Sequence, residues 1–444
     1  MTKETNSREI VLDVLLEILE KGNLSHLVLN QALGKYQYLE KQDRAFITRL
    51  TEGTLEYLMQ LDAVLDQFSK VKVKKMKPVV RTILRMSVYQ LLYMERVPDS
   101  AVCNEAVKLA KKRKFQELSG FINGVLRTIA RKKDSLTFTE SHIRLSLPQW
   151  MLSMWEDSYG KETAEKIGAA FLAKRPLTVR CNETRASSET TLEDLKAQGI
   201  QVTRSLFGAA FLSIEGYDYL EQVEAFRDGR ITVQDESSAL AGLVCGAKPG
   251  DFVLDVCSAP GGKALHAADL LRGTGMVEAR DLTEYKISLV EENVQRCGFR
   301  NIETKVWDAT VFDPSMEGKA DVVFADLPCS GLGIIGKKPD IKWRLKEEEL
   351  LNLAALQKKI LLAVSRYVKP GGVLIYSTCT IDRMENEENA AWILRELPFK
   401  KRPIGALLPE FLREDCKENQ IQLLPGIHPC DGFFIAAFEK ERIQ

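Results

Sequence analysis

The sequence predicts a doubly wound α/β domain, preceded by an all-helical domain and a small α+β module. Three observations carry this expectation. From Gly229 onward, short apolar strand-like runs alternate with helical patterns. Before residue 140 the apolar residues recur at helical spacing with no strand pattern. Between the two, helical spacing gives way to short apolar–polar alternations. The expected domains are 1–140, 141–230 and 231–444.

In the first of these, Val11, Leu12, Val14, Leu15, Leu16, Ile18 and Leu19 form a broad helical face, with Ser7 as a candidate cap. Similar periods run over Arg44–Leu65, Val79–Met94, Ser100–Lys111 and Phe121–Ile129. Pro78 suits the first helical position, where its missing N–H costs nothing. Two basic runs stand out: Lys70, Lys72, Lys74, Lys75 and Lys77, then Lys111, Lys112, Arg113 and Lys114. A charge run is most simply a solvated face. Two runs on one small domain, with nothing acidic matched to them, also suit an RNA backbone.

The middle module is expected to carry a helix over Trp150–Leu172 and a strand at Leu177–Asn182. A helix near Leu192–Gln198 and strands at Ile200–Val202 and Phe211–Ile214 complete it. The α/β domain then offers five strands in order: Phe252–Val256, Gly275–Asp281, Ile302–Trp307, Asp321–Asp326 and Gly372–Ser377. A helix is clearest at Leu350–Val368, and Phe433–Phe438 reads as a late strand. Strands alternating with helices imply βαβ units and a mainly parallel sheet.

Composition narrows the function classes. The 444 residues are 45% apolar and 28% charged, ordinary for globular domains. No apolar run approaches the roughly 18 residues a membrane span needs. The start, Met-Thr-Lys-Glu-Thr-Asn-Ser-Arg-Glu, reads as neither a secretory signal nor a transit peptide, so a cytoplasmic protein is expected. Nine cysteines with no C-x-x-C pair argue against a disulfide framework and a zinc site. Residues 1–140 hold 24 Lys+Arg against 17 Asp+Glu, whereas the rest hold 38 against 45. A basic module joined to an acidic one points to a polyanion partner for the first. A monomer is expected.

Asp255-Val-Cys-Ser-Ala-Pro-Gly-Gly-Lys263 lies between the first α/β strand and a helix. Ligands of open α/β sheets bind beyond the carboxyl ends of the strands. Gly261 and Gly262 let backbone approach a ligand closely. The second strand ends in Asp281, 26 residues after Asp255, where an acid can hold both hydroxyls of a ribose. The loop lacks G-x-G-x-x-G spacing, and Pro260 removes an amide that a phosphate would use. An adenosyl cofactor with a methionine tail fits better than a dinucleotide.

With Asp326-Leu-Pro-Cys-Ser330 and Ser377-Thr-Cys-Thr380, this loop resembles the Sun-type RNA cytosine-5 methyltransferases. Val233-Gln-Asp-Glu-Ser-Ser238 and His428-Pro-Cys-Asp-Gly-Phe-Phe434 look like that family too. Leu50-Thr-Glu-Gly-Thr54, Ile83–Leu92, Val97-Pro98 and Phe121-Ile-Asn-Gly-Val-Leu-Arg127 resemble the NusB RNA-binding fold. Arg175-Pro-Leu-Thr-Val-Arg-Cys-Asn182 is similar to the RNA-binding module ahead of the catalytic domain in the Sun-type family.

The resemblance implies a Rossmann-like class I methyltransferase domain acting on small-subunit (16S) ribosomal RNA, free or partly assembled, with S-adenosylmethionine as cofactor. It implies that Cys257, Ser258, Ala259, Pro260, Gly261, Gly262 and Lys263 line the cofactor, that Asp281 holds its ribose, and that Asp308 sits by the adenine. Asp326 would lie beside the methyl donor and the base. Asp281-Leu-Thr in place of a more usual Asp-Ile is a mild departure. No metal is implied.

The residue types make chemical sense on their own. Carbon 5 of cytosine is a poor nucleophile. A thiolate added to carbon 6 makes the ring an enamine, and cysteine both attacks well and leaves readily. Protonating N3 would help the addition, and Asp326 is placed for that. Sequence logic does not choose between Cys329 and Cys379. The family pattern makes Cys379 the nucleophile and Cys329 the group that assists product release. In DNA cytosine-5 methyltransferases the Pro-Cys cysteine after the fourth strand attacks instead. A DNA methyltransferase and a non-catalytic NusB-like assembly factor are the alternatives. In any base-modifying reading, the target leaves its stack to reach the crevice.

Overall fold

The computed structural model describes residues 6–442. The polar start Met1–Thr5 lies outside the described residues. Two compact units emerge, one formed by residues up to Ala173 together with Ile335–Leu345, the other by Lys174–Ile334 and the chain from Lys346.

The first unit is helical throughout. Helices Ser7–Leu19, Ser25–Lys35, Lys41–Glu56, Leu58–Phe68, Pro78–Tyr93, Asp99–Lys112 and Ser119–Lys132 enclose a core that includes Leu15, Leu61, Ile83, Tyr89 and Leu126. Pro78 does open its helix. The cap of the first helix is Asn6, not Ser7, because the Asn6 side chain accepts from the Arg8 and Glu9 amides. The period read across Arg44–Leu65 is two helices broken at Tyr57, and that across Trp150–Leu172 is two helices broken at Gly160, where φ is +80°.

The lysines of the first basic run are exposed. The expectation that nothing acidic matches the runs is corrected. Lys112 pairs with Glu9, Arg113 reaches Asp13 at 2.6 Å, and Lys72 lies 3.8 Å from Asp66. The unit also holds a segment from far along the chain. Lys342 donates to the Glu56 carbonyl at 2.7 Å and the Trp343 indole to the Leu55 carbonyl at 2.9 Å. Both satisfy carbonyls that a helix end leaves without partners. Burial pushes the Lys342 ammonium down to about 7.

The second unit contains two sheets. The smaller has antiparallel strands β1 (Leu177–Cys181), β2 (Gln201–Arg204), β3 (Phe211–Glu215) and β4 (Ile231–Val233) in the order β2-β3-β1-β4. The larger sheet comprises β5 (Phe252–Asp255), β6 (Met276–Asp281), β7 (Ile302–Val306), β8 (Ala320–Asp326), β9 (Val368–Thr378), β10 (Phe399–Lys401), β11 (Gln420–Leu423) and β12 (Phe433–Lys440).

Its order is β10-β12-β9-β8-β5-β6-β7, with β11 paired to β12. β5 to β9 run parallel, whereas β10, β11 and β12 pair antiparallel. Both faces are buried. Val253, Val277, Val322 and Ile375 pack on one side with helices Glu236–Cys245 and Gly262–Leu270. Leu254, Val323, Leu374 and Phe434 pack on the other with helix Glu347–Val364. Two-sided burial is why these strands read as continuous apolar runs. The chain winds from β5 through β6 to β7, then returns to β8 on β5's other side. The switch point therefore falls between β5 and β8, where such sheets bind ligands.

Candidate active site

Three carboxylates end three adjacent strands at this switch point: Asp255 on β5, Asp281 on β6 and Asp326 on β8. The loop after β5 turns sharply. The Ser258 amide donates to the Arg280 carbonyl at 2.8 Å, and the Gly261 amide donates to the Ser258 carbonyl at 2.7 Å. Gly261 has φ +106°, which disfavours side chains, and Gly262 opens the following helix. Asp281 is buried and accepts from the Ala259 amide at 3.0 Å, the Leu282 amide at 2.7 Å and the Lys286 ammonium at 2.9 Å. Burial pushes the Asp255 carboxyl up to about 7, with Lys263 pulling against it. The Cys257 thiol is raised by burial first and then by Asp281.

Asp308 stands just beyond β7. Its carboxylate is exposed and accepts from the Thr310 amide at 2.9 Å and the Thr310 hydroxyl at 2.8 Å, which keeps its pKa low. The neighbouring Trp307 amide donates to the Asp281 carbonyl at 2.9 Å, so the two strand ends are joined.

Lys263 is not the solvated residue that a first helical turn would allow. It is 7% exposed, donates to Asp326 and to the Ser238 hydroxyl at 2.7 Å each, and lies 5.0 Å from the Phe433 ring centroid. A cation at a helix N-terminus opposes the dipole, and Asp326 offsets that cost. The other Asp326 oxygen accepts from the Ser377 hydroxyl at 2.8 Å. Ser238 and Phe433 belong to the two flanking motifs quoted above, whose role sequence reasoning did not supply.

The two cysteines meet. Cys329 lies three residues beyond β8, Cys379 directly follows β9, and their sulfurs are 3.4 Å apart. Both are partly accessible. The Cys329 thiol is held well above the usual thiol range, first by its hydrogen bond to Cys379, then by burial, with Glu385 adding to it.

Two glycines seat the Cys329 turn. The Gly333 amide donates to the Cys379 carbonyl at 3.0 Å, and the Gly432 amide donates to the Gly333 carbonyl at 2.9 Å. A Cβ at Gly432 would come within 2.6 Å of both Gly333 Cα and Ile381 Cγ2. Backbone pressed on backbone has nowhere to move. Gly432→Ala is expected to destabilise the fold by about 1 to 3 kcal/mol through overpacking, read as a lower midpoint in denaturant unfolding.

The strand order, the acid-lined loop and the buried pairing of Lys263 with Asp326 define a Rossmann-like methyltransferase fold. Comparison with known proteins agrees. The model of the family described as 16S rRNA methyltransferase RsmB/F matches residues 243–439, the NusB family matches 5–131, and an RsmF/B-like ferredoxin-like domain matches 147–216.

The probable ribosomal RNA small subunit methyltransferase B of Bacillus subtilis (strain 168) is 36% identical over 99% of this chain and all of its own length. Ribosomal RNA small subunit methyltransferase B of Escherichia coli O1:K1 / APEC is 31% identical over 99% of this chain and 100% of its own. The crystal structure of PH0851 superposes with a TM-score of 0.83 at 27% identity, covering 99% of this chain and 100% of that one. The chain belongs to the 16S rRNA methyltransferase RsmB/F family.

Among the described residues, no group of His, Cys, Asp and Glu could hold a metal ion. No described helix is long and apolar enough to cross a membrane.

Proposed function

We propose that the protein transfers a methyl group from S-adenosylmethionine to carbon 5 of a cytosine in small-subunit (16S) ribosomal RNA, through a bond from Cys379 to carbon 6. The observation that carries this reading is the pair of sulfurs 3.4 Å apart, just past the ends of β8 and β9, the strands joined by the Ser377–Asp326 hydrogen bond. One thiol alone would suit many roles; two in contact suit a reaction that must both form and break a carbon–sulfur bond.

The residues fit the cofactor. Asp281 offers a buried carboxylate to a ribose, whereas the loop lacks the G-x-G-x-x-G spacing that seats a pyrophosphate and Pro260 withholds an amide from one. Cys257, Ser258, Ala259, Pro260, Gly261, Gly262 and Lys263 would form its cradle, Asp281 would hold the ribose, and Asp308 would flank the adenine. When bound, S-adenosylmethionine supplies an electrophilic methyl group. Asp281→Ala removes the acceptor for two hydroxyls, a charge-assisted loss of about 3 kcal/mol, so cofactor affinity is expected to fall on the order of 100-fold in isothermal titration.

The protein's own groups perform the rest. Cys379 loses its proton to solvent and adds to carbon 6 as a thiolate. Protonation of N3 is expected of Asp326 from the sequence; because Asp326 accepts from Lys263, we assign that proton to Lys263, and Asp326 faces the amino group of the base as an acceptor. After methylation the carbon 5 proton passes to solvent, the carbon 5–carbon 6 double bond re-forms, and the carbon–sulfur bond breaks. Cys329 passes its proton to the departing sulfur and regains one from solvent, and the proton lent to N3 returns to its donor, which restores the resting pair. The target cytosine must be flipped or single-stranded to enter. The exposed lysines 70, 72, 74, 75 and 77 support contact between the helical unit and RNA.

The test is transfer of labelled methyl to a 16S rRNA transcript, followed by digestion to nucleosides. The label should run as 5-methylcytidine. Label in another nucleoside, or in duplex DNA but not in RNA, would defeat the proposal.

A further inference from the structure

Behind the two cysteines lie two neighbouring residues that the chemistry above does not use. Glu385 and Asn386 follow β9, just ahead of helix Glu387–Glu396, and both are fully buried. Each holds one cysteine turn on both sides of its sulfur. For Cys329, the Ser330 amide donates to Glu385 at 3.0 Å. Gln357 donates to Glu385 at 2.7 Å and to the Pro328 carbonyl at 2.9 Å, so residues 328 and 330 are both tethered. For Cys379, the Thr378 hydroxyl donates to Asn386 at 2.5 Å, and Asn386 donates to the Thr380 carbonyl at 3.0 Å. Residues 378 and 380 are thus both tethered. The turns are also joined directly, Ser330 and Thr380 hydroxyls lying 2.6 Å apart.

The supports of this arrangement are themselves fixed. Tyr376 donates its hydroxyl to the Glu385 carbonyl. Gln357 cannot turn its amide round, because its oxygen accepts from Asn389 at 2.7 Å. Asn386 spends its remaining N–H on Gln422 at 2.7 Å. Burying a carboxyl among amides is costly unless its hydrogen bonds are satisfied. Burial raises Glu385 to about 7. A fold in need only of packing would place an apolar side chain here.

We propose that Glu385 and Asn386 form a positioning clamp that sets Cys329 against Cys379, Glu385 governing the release cysteine and Asn386 the attacking one. The proposal rests on the cysteine mechanism above. It gives the two residues opposite signatures, which a merely structural role would not. Glu385→Gln keeps the volume but replaces one oxygen by NH2; the Ser330 amide lies 3.0 and 3.3 Å from the two oxygens, so an NH2 at either place faces that donor and loosens its tether to the Cys329 turn. Asn386→Ala frees the Cys379 turn.

The experiment uses the full chain, a 16S rRNA transcript and labelled S-adenosylmethionine. It reads single-turnover methyl transfer, kcat, and RNA adduct surviving denaturant on a gel. Displacing one of two cooperating groups by a fraction of an ångström costs about 10- to 100-fold in the step it serves. Glu385→Gln should therefore transfer its first methyl within about threefold of the parent, yet lose at least about 10-fold in kcat and accumulate adduct, as Cys329→Ala should. Asn386→Ala should lose first transfer and adduct together.

Should Glu385→Gln fail to fold, Gln357→Met removes the Pro328 tether with little change of volume and should show the same release defect. Parent-like turnover without adduct in Glu385→Gln or Gln357→Met would overturn the clamp, as would an equal loss in every step. Failure of the parent protein to make 5-methylcytidine would instead overturn the underlying reading. A parent and a Cys329→Ala variant that behave as expected, beside an inert Glu385→Gln, would overturn the clamp alone.

Discussion

Cys379→Ala is expected to abolish methyl transfer, with a loss of at least about 10⁴-fold in kcat, the scale seen when a covalent nucleophile is removed. The enamine forms only if a nucleophile adds to carbon 6, and no other thiol is placed to replace this one. Cys329 is 3.4 Å away, but its contact with Cys379 and its burial push its thiol well above the usual range, which disfavours the thiolate. Cys257, the remaining cysteine at the sheet's carboxyl edge, is likewise held protonated. Cofactor affinity should stay within about threefold, because a thiol-to-methyl change leaves the acids at β5 and β6 untouched. Methylation at more than a few per cent of the parent rate would show that Cys379 is not the nucleophile.

Cys329→Ala is expected to do the reverse. The first methyl should transfer at near the parent rate, because Cys379 and the Asp326–Lys263 pair remain. Release should fail, because the departing sulfur has lost its hydrogen-bond donor. Loss of a general acid at this position costs about 10²- to 10⁴-fold in the step it assists, so turnover should fall by that amount. RNA should accumulate in a denaturant-resistant complex with protein, visible as a gel shift that nuclease removes. Free turnover without adduct would show that departure needs no help from Cys329.

Strands β5 and β8 were legible as apolar runs ending in an aspartate, whereas β6 carries Glu278 and Arg280 and was marked by Asp281 at its end. Phe399–Lys401 and Gln420–Leu423 were not, since they are short and partly polar and gain strand geometry only by pairing with β12. The break at Gly160 was readable in principle from its glycine. The break at Tyr57 was not, because helical residues continue on both sides.

The acids that match Lys112 and Arg113 lie about a hundred residues upstream, so charge counts along the chain could not find them. At the site, chemistry-bearing residue types in short motifs pointed to Cys329, Cys379, Asp281 and Asp326. Ser238, Ser377, Gln357, Glu385 and Asn386 gave no such signal. Each is an ordinary polar residue until the fold buries it and aims it at a neighbour, and that is a tertiary fact.

The central claim is that Cys379, and not Cys329, bonds to the cytosine. Peptide mapping of the RNA adduct that accumulates in Cys329→Ala tests this most directly. After proteolysis and nuclease digestion, mass spectrometry should find a methylated cytidine attached to the peptide that contains Cys379. Attachment at any other residue, or 5-methylcytidine formed by a protein that never carries an adduct, would contradict the account.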